Sequence, residues 1–228
     1  MKSNQSKYEE LYKKKLLKEE NGWQSENGDL EVKNWMEQLI NIANRKFGSI
    51  LEIGCGAGNL SVYLNQLGFD VTGIDVSETA ILWAKKRFER QDLKAKFLVG
   101  DVSNLSAFNS NSFDISIDSL CLHCLIDEDR SKSLFEVYRV LKVGGEFLII
   151  TMCGNPKNTI LKEHFNPETR YVEFDKVREC YLGESNDILN ELRSANFEIT
   201  YHTTIQGNED TGDQDMLLAI CRKGHPSV

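Results

Sequence analysis

No stretch of the sequence approaches the roughly 18 consecutive apolar residues of a membrane-spanning helix, so a membrane partner is not expected. The opening residues Met1-Lys2-Ser3-Asn4-Gln5 lack the apolar segment of a secretory leader, and the expected location is cytoplasmic. Basic charge is short as well. There are 27 Lys and Arg against 35 Asp and Glu, a net charge of −8. Nucleic-acid phosphates are bound by clustered cations, so this balance disfavours nucleic acid and favours a small-molecule partner. The six cysteines are scattered without the spacing of a disulfide scaffold and read as reduced thiols. Cys121, His123 and Cys124 form C-x-H-C, but no second ligand pair accompanies them, so no structural metal is expected.

What is present is a chain of 228 residues, 40% apolar and 27% charged, which suits a single domain with a sizeable core. Its centre of gravity is Ile50-Leu51-Glu52-Ile53-Gly54-Cys55-Gly56-Ala57-Gly58-Asn59-Leu60. An apolar strand runs into closely spaced glycines and then into an apolar-periodic segment, which reads as strand, tight turn and helix. Glycine is required where φ is positive or where a ligand approaches the backbone. A helix start after such a turn offers unpaired N–H groups. The pattern places a nucleotide-type cofactor at the first strand of a doubly wound α/β sheet. It fails the dinucleotide fingerprint at its third glycine, where Asn59 stands, and no Lys completes a phosphate-cradling loop. Glu52 is costly inside a buried strand unless paired, and suits a cationic ligand.

E-x-G-x-G-x-G after an apolar strand resembles motif I of the class I S-adenosylmethionine-dependent methyltransferases. The resemblance continues from about residue 45 to the C-terminus. Gly73-Ile74-Asp75-Val76-Ser77 is similar to the second signature, with Asp75 twenty-one residues after Gly54. Gly100-Asp101 is similar to the adenine-contact position, and Leu141-Lys142-Val143-Gly144-Gly145 to an L-K-P-G-G turn with Val143 in place of proline. The fold this implies is α/β: a Rossmann-like, seven-stranded, mostly parallel sheet with helices on both faces, strand 7 antiparallel, and an N-terminal helical cover. Residues 1–47 are expected to form that cap and residues 48–228 the cofactor-binding part of one domain.

The resemblance also implies the site. Glu52, Gly54, Cys55, Gly56 and Gly58 would form the cofactor loop, and Asp75 would accept from the ribose hydroxyls with Val76 and Ser77 beside the adenosine. Asp101 and Val102 would meet the adenine. Asp118 and Ser119 would lie at the methionine end, with Trp23 and Tyr12 close to the cofactor from the leading helices. His123 is the candidate general base, because its unperturbed pKa lies nearest neutrality. Cys121, His123, Tyr171, Arg178 and Tyr181 are candidates for the acceptor wall. The segment after Phe113-Asp114-Ile115-Ser116-Ile117-Asp118 is not [DN]-P-P-[YF], which argues against base-nitrogen or amide-side-chain methylation. The expected activity is methyl transfer from S-adenosylmethionine, leaving S-adenosylhomocysteine, to O, N or S of a small molecule by a monomer or homodimer. Protein or RNA methylation, a non-catalytic cofactor-binding role, and a metalloid acceptor held by Cys121, Cys124 or Cys153 stand as alternatives.

Overall fold

The computed structural model describes residues 4–224; Met1, Lys2 and Ser3, read above for a leader, lie outside the described residues. Two helices lead, α1 (Asn4–Leu17) and α2 (Glu26–Ala43). The apolar spacing points to a second helix over 30–47, yet it starts and stops about four residues earlier. Ser25 caps its first turn by accepting from Gly28 N at 3.2 Å, and Asn44 ends it in the left-handed region at φ 53°.

Strands and helices then alternate: β1 (Ser49–Ile53), α3 (Asn59–Gln66), β2 (Asp70–Asp75), α4 (Glu78–Arg90), β3 (Lys96–Val99), β4 (Phe113–Ser119), α5 (Glu128–Val140) and β5 (Leu141–Cys153). After an insertion come α6 (Thr159–His164), β6 (Phe165–Asn166), β7 (Tyr171–Phe174), β8 (Val177–Tyr181), α7 (Ser185–Ser194), β9 (Phe197–Ile205) and β10 (Asp215–Lys223). The main sheet has seven strands in the order β3-β2-β1-β4-β5-β10-β9. β1 through β5 pair in parallel, and β10 is antiparallel to both neighbours. The chain leaves β1 toward β2 and β3, then returns to the other side of β1 as β4. Ile53 pairs with both Ile74 and Asp118, so the carboxyl ends of β2, β1 and β4 meet at this reversal. Open α/β sheets bind ligands at such a point.

The core follows from strand periodicity. Leu51, Ile53, Phe147 and Ile149 face α5 and α7 and pack with Val137, Leu189 and Leu192. Their neighbours Ile50, Leu148 and Ile150 face the other side and pack with Met36, Leu39, Leu60 and Leu64 from α2 and α3. Central strands covered on both faces read as near-continuous apolar runs, which is how β1, β4 and β5 appear.

A second sheet, β6-β7-β8, is antiparallel and three-stranded. Residues 152–182 show few clear periods in sequence, and the structure supplies the reason. The strands are two to five residues long. The β7–β8 turn puts Asp175 and Lys176 in the left-handed region at φ 49° and 65°, without the Asn-Gly or Asp-Gly pair that signals such hairpins.

Ile117 is fully buried in β4 between β1 and β5. Ile117→Ala is expected to cost about 2–5 kcal/mol, seen as a lower urea midpoint with an unchanged slope.

Candidate active site

The loop after β1 takes its shape from three left-handed glycines, Gly54 (φ 64°), Gly56 (φ 53°) and Gly58 (φ 76°). A Cβ on Gly54 would lie 2.6 Å from Cys121 Sγ, and one on Gly56 would collide with the Tyr12 hydroxyl. Asp75, at the end of β2, ties this loop down: Oδ2 accepts from Gly56 N at 2.9 Å and Oδ1 from Ser77 N at 2.8 Å. Ser77 Oγ in turn accepts from Ala80 N and caps α4. Burial nevertheless pushes the Asp75 carboxyl up to about 6, against the two backbone donors. Glu52 is fully buried and takes a hydrogen bond from the Ser61 hydroxyl. Burial raises it to about 8, the hydrogen bond opposing and the Asp75 charge adding, so Glu52 is mostly protonated at neutral pH.

Past β4 the chain turns sharply, with Leu120 at φ 65°. Asp118 Oδ1 accepts from Cys121 N and Leu122 N, both at 2.9 Å, and holds the short 3-10 turn Leu122–Cys124 against the strand end. Its Oδ2 is buried without a hydrogen-bond partner, as is His123 Nδ1. Burial lifts Asp118 to about 6, while the Leu122 and Cys121 backbone donors and the Arg130 charge pull the other way. Burial drives His123 down to about 4, with Arg130 adding to the fall, so its imidazole is neutral at pH 7.

Above these strand ends lies a cavity of about 630 Å³, within the range of small-molecule sites. Its floor is Glu52, Gly54 to Ala57, Asp75-Val76, Val99 to Val102 and Ser119 to Cys121, and its roof is Tyr8, Tyr12, Trp23, Gln24, Asp29, Val32 and Lys33. The roof is fastened at two points. Glu9 accepts from Ser77 Oγ (2.7 Å), Thr79 N (3.0 Å) and Thr79 Oγ1 (2.6 Å) at the start of α4, and Lys7 pairs with Glu179 of β8 at 2.9 Å. Burial alone would raise Glu9, but the Thr79 and Ser77 donors hold it down at about 2. Beneath α1, Tyr8 and Tyr12 flank Trp23 with ring centroids 5.8 and 5.5 Å away.

Of the residues singled out in the sequence, Glu52, Gly54, Cys55, Gly56, Asp75, Val76, Asp101, Val102, Ser119, Cys121, Tyr12 and Trp23 all line this one cavity. Gly58, Ser77 and Asp118 support it from behind: Gly58 caps α3, Ser77 caps α4 and Asp118 holds the turn after β4. His123 does not line the cavity; its ring is buried behind the 3-10 turn beside Arg130, which donates to Leu122 O and Leu125 O. Nor do Tyr171, Arg178 and Tyr181 line it. Tyr171 Oη accepts from Asp127 N, Arg178 pairs with Asp127 and Glu173, and the Tyr181 ring stacks on Arg130 at 4.2 Å. They hold the small sheet to the turn before α5. The sequence reading missed Tyr8, Lys33, Asp29 and Asp129, which line the cavity, and Glu9, which fastens its roof; Cys124, named there only with Cys121 and Cys153 for a metalloid acceptor, lines it beside Cys121, and Cys153 does not. Tyr8 falls one turn before Tyr12 on α1, a spacing that marked a helix but not which face covers a site. Cys121 and Cys124 are held as neutral thiols by burial. Among the described residues, no group of three or more His, Cys, Asp or Glu is placed to hold a metal.

A seven-stranded sheet of this order, with a glycine loop after β1 and an acid closing β2, is the class I S-adenosylmethionine-dependent methyltransferase fold. A family model described as a methyltransferase domain matches residues 51–149. A solved S-adenosylmethionine-dependent methyltransferase from Methanosarcina mazei is 27% identical, with a TM-score of 0.69 over 82% of this chain and 97% of that one. Demethylmenaquinone methyltransferase from Leptospira interrogans is 30% identical over 151 residues, 63% of this chain and 59% of that protein. The eEF1A lysine and N-terminal methyltransferase of Danio rerio is 31% identical over 144 residues, 60% of this chain but 20% of that protein. The chain therefore spans only part of the curated relatives it matches. These findings support the class I S-adenosylmethionine-dependent methyltransferase superfamily, with S-adenosylmethionine as the cofactor. The site suits that cation: the glycine loop leaves backbone accessible, and Asp29, Asp75, Asp101 and Asp129 give the cavity wall acidic character.

Two measurements check this geometry. The His123 ring resonance is expected to titrate near 4 instead of its ordinary 6.5. The imidazole is neutral when folded and takes a proton more readily when unfolded, so stability is lost as pH falls from about 6.5 toward 4. Glu9→Ala is expected to speed amide exchange across α1 by on the order of 10-fold or more, the worth of hydrogen bonds to a charged group. Unchanged exchange would show that α1 is held elsewhere.

Proposed function

We propose that this protein transfers the methyl group of S-adenosylmethionine to O, N or S of a small molecule. The observation that carries the reading is the clamp of Asp75 on the glycine loop, directly beneath a cavity roofed by α1. The bound cofactor supplies a methyl group on a positively charged sulfur, ready for in-line displacement. The chain's own part is to bind, orient and exclude water. Asp75 is assigned to the ribose hydroxyls, Asp101 and the Val102 N–H to the adenine, and the Gly54–Gly58 loop to close backbone approach. Ser119 and Asp118 are assigned to the methionine end, with Glu52 beneath it. Residues 1–47 act as the cap of the same domain, Tyr8, Tyr12 and Trp23 closing over the cofactor.

No proton-abstracting residue is assigned. His123 is neutral but walled off, so its part is to shape the Leu122–Cys124 turn. Methyl transfer to a nucleophile that already carries a lone pair needs alignment above all. A small acceptor is supported by the roof that α1 and α2 place over the cavity and by similarity to the demethylmenaquinone methyltransferase. Similarity to the lysine methyltransferase favours a second reading, a protein acceptor. Formation of S-adenosylhomocysteine with a low-molecular-weight cell extract, and none with the desalted macromolecular fraction, is the outcome expected; the reverse would establish the second reading.

Asp75→Ala is expected to weaken S-adenosylmethionine binding by about 10–100-fold in calorimetry, from loss of a charged acceptor worth roughly 1.5–3 kcal/mol. Circular dichroism on the same sample checks folding. In the wild type, affinity should be flat above neutrality and fall as pH drops through about 6, because protonation removes Asp75 as an acceptor for hydroxyl donors. Full affinity in the variant would overturn the assignment.

A further inference from the structure

The loop from Leu120 to Asp127 supplies cavity wall that the cofactor assignment leaves over. Leu120, Cys121, Cys124 and Leu125 line the cavity, and none of them is assigned to S-adenosylmethionine. Both ends of the loop carry positive φ without glycine, Leu120 at 65° and Asp127 at 51°. Asp127 combines that φ with ψ −131°, a conformation that suits glycine and strains an aspartate. Such a residue keeps its backbone only where the surroundings impose it.

The small sheet is what imposes it. Tyr171 of β7 and Tyr181 of β8 are register partners, with ring centroids 5.1 Å apart. The Arg178 guanidinium lies over the Tyr171 ring at 4.5 Å and that of Arg130 over the Tyr181 ring at 4.2 Å, so two cations enclose two aromatic rings. This stack grips the loop at its end and in its middle. Arg178 pairs with the Asp127 carboxylate, and Tyr171 Oη accepts from Asp127 N at 2.9 Å. Arg130 donates to Leu122 O at 2.5 Å and Leu125 O at 3.4 Å, and is itself held by Glu191 of α7 at 2.6 Å. We propose that the small sheet sets acceptor selectivity without touching the acceptor, with Tyr171 as the positioning residue that acts through the Asp127 N–H to fix the wall from Leu120 to Leu125. This role presupposes a methyl acceptor beside the cofactor, as proposed above.

The test compares wild type with Tyr171→Phe, which removes one oxygen and keeps the ring. Three readings are taken: S-adenosylmethionine affinity by calorimetry, the half-saturating amount of low-molecular-weight cell extract for S-adenosylhomocysteine formation, and N-ethylmaleimide alkylation of individual cysteines by mass spectrometry. Loss of the hydrogen bond is expected to raise the half-saturating amount of extract about 10-fold and to speed alkylation of Cys121 and Cys124 about 10-fold. Cofactor affinity should stay within about 2-fold, and Cys221, buried in β10, should react as in wild type. Glycine takes the Asp127 conformation without strain, so adding Tyr171→Phe to Asp127→Gly should change neither reading by more than about 2-fold. Unchanged half-saturation and alkylation would overturn the proposal. So would equal acceleration at Cys221, which marks a purely structural loss, or a full 10-fold effect in the Asp127→Gly background. If Tyr171→Phe fails to fold by circular dichroism, Arg178→Met decides: a rise in half-saturation with cofactor affinity kept supports the proposal, and no rise overturns it. Extract that yields no S-adenosylhomocysteine with wild type would bring down the methyl-transfer reading instead, and the alkylation pattern then decides the positioning alone.

Discussion

The Asp75 carboxylate is the joint on which the site depends. Its two oxygens reach in opposite directions along the chain, one to Gly56 N in the loop after β1 and one to Ser77 N at the entry to α4. That fixes a loop with three left-handed residues, which has little regular hydrogen bonding of its own, to the rigid end of a central strand. The same entry to α4 then receives Glu9, so the roof is anchored to the acid that anchors the floor. Burial makes the arrangement costly for Asp75, as its raised pKa shows, and the charge is kept by backbone donors already in place.

The site's rigidity comes from packing on both faces of the sheet. β1 and β4, whose ends carry Gly54 and Ser119, are covered on one side by α2 and α3 and on the other by α5 and α7. α2 has two parts in this. Met36, Leu39 and Ile40 belong to the core, while Asp29 and Lys33, on its first turns, belong to the cavity wall. A helix that is core along one stripe and site at one end transmits its core position to the site.

Much of this was legible in the sequence because each feature had a local cause. Ile50 to Ile53 announce a strand buried on both faces, the glycines announce positive φ, and Ser77 announces a cap. Asp75 was legible because its spacing from Gly54 equals one strand–turn–helix–strand unit. What escaped was set by contacts distant along the chain or by the direction of a side chain. Glu9 meets Ser77 across 68 residues, and no local pattern reports it. His123 stands next to the end of β4 in sequence. Asp118, however, draws Cys121 N and Leu122 N back onto the strand end, and the imidazole is turned away from the cavity. Tyr171 and Arg178 have the composition of a binding wall, yet Asp127 takes both. The small sheet was hidden because its turn uses Asp175-Lys176 where glycine would have shown it.

The two fastenings of α1 differ in physical kind, and salt tells them apart. Lys7 and Glu179 form a partly exposed pair of opposite charges, each about one-third accessible, whose attraction fades as ions crowd between them. Glu9 is held chiefly by neutral donors, two hydroxyls and a backbone N–H, which ionic strength leaves almost untouched. Rising salt therefore frees α1 first from β8 while Glu9 stays seated on α4. Tyr12, buried with Ala57 and Ala80, keeps α1 over the glycine loop at any ionic strength, so salt loosens only the tie between the cap and the small sheet.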